Sequence, residues 1–548
     1  MSSLKNRNKS KRTANTIRYL TIEGGGGKGV TYLGAIRALE DLKILDKFPN
    51  YSPRLYKTLK GISGASAGSI TAFFLAIGYG YDDIRKMIES SGGLSVFAGF
   101  FDFPLDEKAI AQIKSEKDSP FTVIQRKVDY SNKKYVSGVA TTDNEVGFYT
   151  KKILYLIDYV AEPVVDTFFS DPTVPKSPSS EFNIYNLLFN YEEVYKNYIQ
   201  NPDASVLSIK NLNDKVRKYY ISNLCFGYGL FSGLKIRDFF IEKLRSFLGS
   251  LSGSKGKGKT PETLTLKELS DITKLELIFT GTDITSGLPI LFSSSDSSSM
   301  DFPVVEAICI SMNIPVLYKP IIVANKDGTP SKLGVDGGVI NNFPLHAFDG
   351  KNPTNNNILG LLLHDNFDPQ DKLAWMNGIK NKKLNLFRYL FKLIPALTYA
   401  SGDGQVVNKT DQSHIINFYT DLLDLTEFSP SPFKSILTVL FIENDSSKEV
   451  VAAMPGPVLR AYLNIHSSFN GSYDPKPFVI DRIQYACAAE SWDKDPKNDL
   501  KFTKGDGNGN VRTLDLSDNY YYFADDSIIN QYKDFIKEKI KASEKNSI

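Results

Sequence analysis

A serine between small residues stands in the segment Gly64-Ala65-Ser66-Ala67-Gly68. The apolar run Leu59 to Ser63 before it predicts a strand, and the apolar stretch Ser69 to Ile77 after it predicts a helix. In that context the G-x-S-x-G pattern is typical of a strained strand-to-helix turn, which exposes the serine hydroxyl where the helix dipole favours developing negative charge. The segment therefore predicts that Ser66 is a nucleophile, and an ordinary glycine turn is the alternative.

A serine nucleophile needs a base, and a carboxylate serves if it lies within about 3 Å of the hydroxyl and stays ionised. Asp336 follows the predicted strand Lys332 to Val335 and precedes Gly337 and Gly338. This arrangement predicts a carboxylate held on a turn at the edge of a parallel sheet, where it would meet Ser66. An Asx turn or a helix cap without a chemical role is the alternative.

A run of glycines offers backbone N–H groups to a negative charge. The segment Glu23 to Gly29 (EGGGGKG) lies between a β-rich run, Ile17 to Ile22, and a helical pattern from Val30 to about Leu42. Its glycines match G-x-G-x-x-G, but no Ser or Thr follows Lys28, so the segment is not a Walker A loop. N–H groups at the start of a helix suit either a phosphate or a developing oxyanion, and both interpretations stay open here.

The histidines allow a second mechanism. His346 and His364 follow Asp336, so the order Ser, Asp, His of an α/β-hydrolase triad is formally present. Neither they nor the other two histidines have metal-ligand spacing, and the three cysteines are too widely separated for a thiolate site. The sequence therefore predicts no metal site and leaves a dyad and a triad open.

These residues need a scaffold, and the sequence predicts an α/β fold. A strand, a glycine turn and a helix occur twice in succession near the N-terminus, which indicates a parallel sheet covered by helices. Leu275 to Thr280 and Ile358 to Leu363 predict further buried strands. Beyond Asn366 the pattern becomes mainly helical, so we predict a domain boundary between Leu363 and Leu384.

Taken together and in this order, EGGGGKG, GASAG and DGG resemble the motifs of the patatin-like phospholipases. Stretches from Gly281 to Ser293, from Ile310 to Ile321 and from Asp336 to Leu345 also resemble core strands and turns of that family. The resemblance covers roughly Arg18 to His364. It implies a three-layer α/β/α domain with a mostly parallel sheet, in which a Ser-Asp dyad hydrolyses acyl esters.

By this resemblance Ser66 is the nucleophile and Asp336 the base, and the N–H groups of Gly25, Gly26 and Ala67 form the oxyanion hole. The remaining motif residues support them: Gly24, Gly27, Lys28, Gly29, Gly64, Gly68, Gly337 and Gly338. The implied enzyme is a metal-independent carboxylic ester hydrolase without a cofactor, of phospholipase A or lysophospholipase type. A Ser-His-Asp esterase or lipase and a catalytically weak lipid-binding effector protein are the alternatives.

The chain also departs from the family pattern. Glu23 stands where the family usually has Asp, and Lys28 where it often has Arg, and a lysine lacks the planar fork that bidentate binding needs. The separation 336 − 66 = 270 residues is long for the family. We predict a basic disordered tail at 1–16, a catalytic domain at 17–365 with an insertion or lid at about 92–261, and a C-terminal region at 366–548.

Composition limits the partners. With 65 Lys+Arg against 62 Asp+Glu among 548 residues, the net charge is +3, which argues against a general nucleic-acid binder. No apolar stretch follows the basic residues near position 1, and no run of 18 apolar residues occurs, so we expect neither a signal peptide nor a membrane-spanning helix. We predict a protein of the cytoplasm or a membrane surface that binds acyl lipid and touches membranes transiently. Delivery as a secreted effector and dependence on a protein activator stay open.

Three further segments have two interpretations each. Gly92 to Pro104, rich in Phe, is either a mobile flap or part of the core beneath the preceding helix. Leu384 to Tyr399 is either a helix buried between domains or an interfacial helix. Asp506 to Asn510 predicts a hairpin turn rather than a calcium loop, because Val511 occupies the position where the sharp calcium-loop turn needs Gly.

Overall fold

The computed structural model describes slightly more than half of the chain. The described residues are 13–49, 55–89, 98–105, 124–129, 134–140, 184–198, 212–251, 256, 258–325, 329–349, 357–364, 414–419, 440–443, 450–454, 456–470, 493–494, 501–505 and 511–515. The predicted helix at Leu384 to Tyr399 and the turn at Asp506 to Asn510 lie outside them, as do residues 1–12 of the predicted tail.

The described chain contains 17 strands and ten α-helices, and the first four of these elements alternate between strand and helix. The strands are β1 (Tyr19–Ile22), β2 (Gly61–Gly64), β3 (Ile124–Asp129), β4 (Lys134–Ala140), β5 (Gly229–Phe231), β6 (Glu276–Asp283), β7 (Leu288–Ser293), β8 (Val316–Tyr318), β9 (Ile321–Ala324), β10 (Pro330–Asp336), β11 (Ile358–His364), β12 (Ile415–Tyr419), β13 (Leu440–Glu443), β14 (Val450–Met454), β15 (Asp493–Lys494), β16 (Lys501–Gly505) and β17 (Val511–Asp515). The α-helices are α1 (Tyr32–Asp41), α2 (Ala67–Ala76), α3 (Tyr81–Glu89), α4 (Ile184–Phe189), α5 (Tyr191–Tyr198), α6 (Leu212–Gly227), α7 (Leu234–Ser250), α8 (Leu266–Thr273), α9 (Val304–Ser311) and α10 (Gly456–Asn470). Short 3₁₀ helices span Ala14–Thr16, Gly26–Thr31, Ala98–Phe101 and Gly337–Val339.

One central sheet organises the protein. Its strand order is β12-β11-β1-β2-β6-β10-β9-β3-β4, and β7 also pairs with β6. From β12 to β6 all neighbours are parallel, whereas β10 is antiparallel to both β6 and β9. The prediction of an α/β fold with a mostly parallel sheet is therefore confirmed.

The sheet is buried on both faces, as an α/β/α arrangement requires. Along β11, Leu359, Leu361 and Leu363 join the larger core with the residues of α1 and α2. The alternate residues Ile358 and Leu362 face a second core. Phe343, Leu345 and Phe348, on the segment that follows Asp336, belong to this second core. Because successive strand residues point to opposite faces, a continuous apolar strand fits two cores at once.

The range predicted as an insertion or lid contributes to the central sheet. β3 pairs in parallel with β9, and β4 extends that edge. The sequence from Tyr130 to Tyr219 has no clear strand alternation, yet the structure contains the strand β4 there. An edge strand of this kind is determined by pairing with its neighbour more than by its own sequence pattern.

The phenylalanine-rich segment belongs to the core where the structure describes it. Phe100, Phe101 and Phe103 are 1%, 2% and 6% exposed. The buried carboxylate of Asp102 accepts hydrogen bonds from the N–H and the hydroxyl of Ser232 (both 2.9 Å), which fasten the segment to the turn before α7. Residues 98–105 thus follow the core interpretation, and Gly92 to Phe97 lie outside the described residues.

The central sheet does not stop at the predicted boundary. β12 pairs in parallel with β11, from Gly360 opposite Ile415 to His364 opposite Tyr419. Helix α10 then crosses α1 so closely that a Cβ on Gly34 would lie 1.6 Å from the carbonyl oxygen of Val458. Residues on both sides of the predicted boundary therefore belong to the same sheet and the same helix layer. The two helices can approach this closely because glycine has no Cβ.

Beyond residue 366, the described part of the chain holds six short strands and the helix α10. Most of the region that the sequence predicts to be mainly helical lies outside the described residues. β16 and β17 form an antiparallel hairpin in which Gly505 lies opposite Val511, as the hairpin interpretation of this region predicted. Among the described residues, no helix is long and apolar enough to cross a bilayer.

Candidate active site

Ser66 occupies the turn between β2 and α2 with a strained backbone. Its φ and ψ angles are 48° and −122°, in a region that residues other than glycine rarely adopt. The residue precedes the first turn of α2, and its side chain is 6% exposed. The strained strand-to-helix turn that the sequence predicted around Ser66 is present.

Small residues make this turn possible. A Cβ on Gly64 would lie 2.4 Å from the backbone of Gly68, and one on Gly68 would lie 2.2 Å from the carbonyl oxygen of Ile22. The turn is thus folded on itself and pressed against the end of β1. The N–H of Ser66 donates to the hydroxyl (3.1 Å) and the carbonyl (3.2 Å) of the buried Ser311, at the end of α9. Contacts from two sides fix the backbone at Ser66.

Two strands run toward each other to bring Ser66 and Asp336 together. β2 runs parallel to β6 and ends with Gly64 opposite Phe279, whereas β10 runs antiparallel to β6 and ends with Asp336 opposite Gly281. Because β7 pairs with 278–283 of β6, β2 and β10 must share the other edge of β6. The carboxyl ends of β2 and β10 therefore face each other along β6, opposite positions that are two residues apart.

This geometry corrects one detail of the sequence interpretation. Asp336 was predicted to lie at the edge of a parallel sheet, but its strand β10 is antiparallel to both neighbours. A parallel strand beside β2 would end at the same level as β2. β10 instead lies on the same edge of β6 as β2 and runs in the opposite direction. Its last residue therefore points toward the last residue of β2.

The Asp336 turn is held by backbone hydrogen bonds. Oδ1 accepts the N–H of Gly338 at 2.6 Å, and the N–H of Asp336 donates to the carbonyl of Asn313 at 2.9 Å. A Cβ on Gly337 would lie 2.1 Å from the hydroxyl of Thr280, so only glycine fits there. Within the described residues, Oδ2 has no hydrogen-bond partner, and Asp336 is 1% exposed.

Burial raises the pKa of Asp336 to about 7 from an ordinary value of 3.8. Desolvation is the main cause, because it penalises the charged carboxylate. The nearby side chain of Ser66 and the hydrogen bond from the N–H of Gly338 lower the pKa in part. Asp336 is thus a carboxylate next to the Ser66 hydroxyl whose proton affinity suits proton transfer near neutral pH.

The glycine segment lies beside Ser66. A Cβ on Gly24 would lie 2.9 Å from Cβ of Ser66, and one on Gly29 would lie 2.8 Å from Cβ of Ala67. Gly26 has a φ of 52° and begins the 3₁₀ helix Gly26–Thr31, which contains Gly27 and the buried Lys28. The sequence predicted this proximity, and the structure brings the two motifs together.

Three backbone N–H groups near Ser66 have no acceptor among the described residues: those of Gly25, Gly26 and Ala67. Gly26 and Ala67 are the first residues of their helices, where N–H groups have no partner within the helix. Such groups, on buried or half-buried backbone, are suited to a developing negative charge.

The histidines take no part in this cluster where their side chains are described. Nδ1 of His346 lies 2.7 Å from Oδ2 of Asp349, on the segment that follows Asp336. His466 faces Asp41 on α1, with Nε2 and Oδ2 3.9 Å apart. The side chain of His364 lies outside the described residues. Among described side chains, no imidazole is hydrogen-bonded to Ser66 or Asp336.

The part of the chain that the structure describes contains no candidate metal site. No group of three or more His, Cys, Asp or Glu side chains there is arranged to hold a metal ion. The carboxylate of Glu23, which the sequence marked only as a departure from the family pattern, binds protein groups: the N–H of Leu363 (2.6 Å) and the amide of Asn342 (3.1 Å).

Several residues of the site were missed in the sequence. Asn342, Ser311, Asn313 and Thr280 hold the backbone around Ser66 and Asp336. No motif spacing points to them, because each acts through a contact between segments far apart in the chain. The one usable signal is that Asn342 lies in the stretch from Asp336 to Leu345, which resembles a family turn.

Comparison with known proteins gives one family match. The family model described as patatin-like phospholipase matches residues 20–108 and 182–349, which include Ser66, Asp336 and the glycine segment. An uncharacterised protein, R571 of Acanthamoeba polyphaga mimivirus, is 37% identical over 86 residues. That match covers 16% of this chain and 25% of the viral protein, so the similarity spans about a quarter of the relative's length.

Solved structures give more distant likenesses. VipD from Legionella pneumophila has a TM-score of 0.35 at 19% identity, over 83% of this chain and 67% of VipD. ExoU, in its complex with SpcU from Pseudomonas aeruginosa, has a TM-score of 0.24 at 17% identity, over 70% of this chain and 53% of the compared chain.

Proposed function

Because the chain belongs to the patatin-like phospholipase family, we propose that it hydrolyses acyl esters of lipids, as a phospholipase A or lysophospholipase. The observation that carries the proposal is the meeting of Ser66, on its strained turn, with the buried carboxylate of Asp336. A serine hydroxyl beside a carboxylate of raised pKa is a nucleophile with its base.

The reaction begins with acylation. Asp336 takes the proton of the Ser66 hydroxyl while Oγ attacks the ester carbonyl carbon, and the carbonyl oxygen becomes an oxyanion. The N–H groups of Gly25, Gly26 and Ala67 donate hydrogen bonds to this oxyanion. When the tetrahedral intermediate collapses, the C–O bond to the alcohol breaks, and the leaving alkoxide takes the proton from Asp336.

Deacylation repeats these steps with water. Asp336, again ionised, accepts a proton from a water molecule that attacks the acyl-Ser66 carbonyl. The same N–H groups stabilise the second oxyanion. Collapse breaks the bond between the acyl group and Oγ, and the proton returns from Asp336 to Ser66. Every proton is accounted for by the dyad and water, so neither a metal ion nor a cofactor is required.

A direct assay tests this function. We expect purified protein to release free fatty acid from phosphatidylcholine vesicles, and to hydrolyse a short-chain thioester in solution, equally well with and without EDTA. Mass spectrometry of the products identifies the acyl chain released. Loss of hydrolysis in EDTA would contradict the metal-independent dyad. Absence of hydrolysis of both substrates, together with absence of a phosphonate adduct on Ser66, would contradict the function.

The pKa of Asp336 predicts the pH dependence. Because the base acts only when ionised and its pKa lies at about 7, kcat/KM should be half-maximal near pH 7. Below that pH it should fall about tenfold per unit. A profile measured with the soluble thioester between pH 4 and 9 checks this. Full activity at pH 5 would show that the carboxylate titrates near its ordinary value and would contradict the desolvated base.

A further inference from the structure

A buried network joins the glycine segment to the turn that carries Asp336. The carboxylate of Glu23 is 4% exposed and lies at the end of β1. Its Oε2 accepts the N–H of Leu363 at 2.6 Å, and its Oε1 accepts the side-chain amide of Asn342 at 3.1 Å. Two donors from two other segments of the chain thus meet on one carboxylate.

Asn342 in turn forms hydrogen bonds with both backbone polar groups of Gly24. The N–H of Gly24 donates to the carbonyl of Asn342 at 2.9 Å, and Nδ2 of Asn342 donates to the carbonyl of Gly24 at 3.1 Å. The Oδ1 atom of Asn342 lies 2.2 Å from where a Cβ on Gly24 would be, so only glycine permits this approach. Gly24, the residue before Gly25, is thus held by three contacts with Asn342.

These hydrogen bonds determine where the N–H of Gly25 points. The peptide between Gly24 and Gly25 is trans, because the cis peptide bond of the described chain is at Phe103-Pro104. In a trans peptide the carbonyl oxygen and the following N–H point to opposite sides. Fixing the carbonyl of Gly24 toward Asn342 therefore fixes the N–H of Gly25 away from it.

The network also ties this N–H group to the base. Asn342 lies six residues after Asp336, and the N–H of Asn341 donates to the carbonyl of Gly337 at 2.8 Å, within the same turn. The side chain of Leu363, whose N–H binds Glu23, occupies the space beside Gly25, with Cδ1 2.3 Å from a Cβ built there. The same contacts therefore position the N–H of Gly25, the side chain of Leu363 beside it and the turn that carries Asp336.

We propose that Asn342 and Glu23 form a positioning pair that orients the Gly25 N–H toward the oxyanion and fixes its position relative to Asp336. The role rests on the proposed function, since it presupposes an oxyanion on Ser66. Neither side chain touches the reacting atoms. The hydrogen bond from the Gly25 N–H strengthens only as negative charge develops on the substrate oxygen. The pair therefore acts on the transition state and leaves substrate binding largely unchanged.

The test is a charge-swap set on the full-length protein: Asn342→Asp, Glu23→Gln, and the double variant. Asn342→Asp keeps the size of the side chain but removes the donor to Gly24 and places a carboxylate beside Glu23. The double variant restores a hydrogen bond between positions 23 and 342, because the glutamine amide now donates, yet it leaves the Gly24 carbonyl without its donor.

For Asn342→Asp we expect kcat on the soluble thioester to fall about 100-fold, the usual scale for a misplaced oxyanion donor, with KM changed by less than about threefold. In the double variant the melting temperature should recover while kcat stays low. The matched control is Asn223→Asp, which removes a buried asparagine donor to the carbonyl of Leu230 (3.0 Å) outside the site. Its kcat should stay within about threefold of wild type once it is folded.

The outcomes separate the two proposals. If wild type hydrolyses the thioester but Asn342→Asp keeps its kcat, or if kcat recovers together with stability in the double variant, the positioning role is wrong and the function stands. If wild type neither hydrolyses substrate nor forms a phosphonate adduct on Ser66, the function fails and takes the role with it. In the ³¹P NMR spectrum of that adduct, Asn342→Asp should shift the phosphonyl resonance, and an unchanged resonance would also overturn the role.

Discussion

Ser66→Ala should remove hydrolysis almost completely, by roughly 10³-fold or more in kcat, while the protein stays folded. The hydroxyl of Ser66 is the group that forms the acyl intermediate, and alanine fits the same space with one atom fewer. Because Ser66 has a strained backbone and alanine keeps that strain, no large gain or loss of stability is expected. Initial rates on the soluble thioester and a thermal melt measure the two quantities.

The matched control is Ser63→Ala, on β2 three residues earlier. The hydroxyl of Ser63 is also buried and donates to the hydroxyl of Thr21 at 3.1 Å, away from the substrate. This variant should keep its kcat within a few-fold of wild type, which shows that loss of a buried serine hydroxyl is not by itself inactivating. If Ser66→Ala kept a tenth of the wild-type rate, the acyl-serine mechanism would be wrong.

Asp336→Asn should cost about as much activity as Ser66→Ala, again roughly 10³-fold. The amide can keep the contact with the N–H of Gly338, but it cannot accept the proton of Ser66. Stability should move the other way. A carboxyl group whose folded pKa of about 7 exceeds the ordinary 3.8 stabilises the fold below about pH 4, and that contribution is lost as pH rises through 7. Asp336→Asn should therefore melt at a higher temperature than wild type at pH 8.

The histidines distinguish the dyad from the triad. Because His346 pairs with Asp349 and no described imidazole contacts Ser66, His346→Ala should lower kcat less than about tenfold. His364→Ala, whose native side chain lies outside the described residues, is measured in parallel and should also cost less than about tenfold. A collapse of activity in either variant, in a protein that melts normally, would favour a Ser-His-Asp triad.

The parts of the site that follow from short segments could be predicted from the sequence. The turn at Ser66 is local, since glycines 64 and 68 and the apolar runs around them specify a strand, a sharp turn and a helix within a few residues. The turn at Asp336 is equally local, with glycines that leave room for Thr280. Helix α1, predicted to end near Leu42, ends at Asp41.

The parts that depend on distant contacts could not be predicted. Nothing within Lys332 to Val335 tells whether the strand runs parallel or antiparallel to β6, because direction is set by the path of the intervening chain. Glu23 and Asn342 are 319 residues apart, and their hydrogen bond exists only in the folded sheet. For the same reason the pairing of β12 with β11 is absent from the local pattern, since a five-residue strand is stabilised mainly by its neighbour.

The measurement that tests the central claim most directly is covalent labelling with a fluorophosphonate probe, followed by peptide mass spectrometry. The probe reacts with an activated serine and leaves a stable adduct at the position it attacks. We expect the adduct on the peptide that contains Ser66, its absence in Ser66→Ala, and its formation at a greatly reduced rate in Asp336→Asn. An adduct on another serine, or labelling of Ser66 that is equally fast in Asp336→Asn, would contradict the assignment of Ser66 and Asp336 as nucleophile and base.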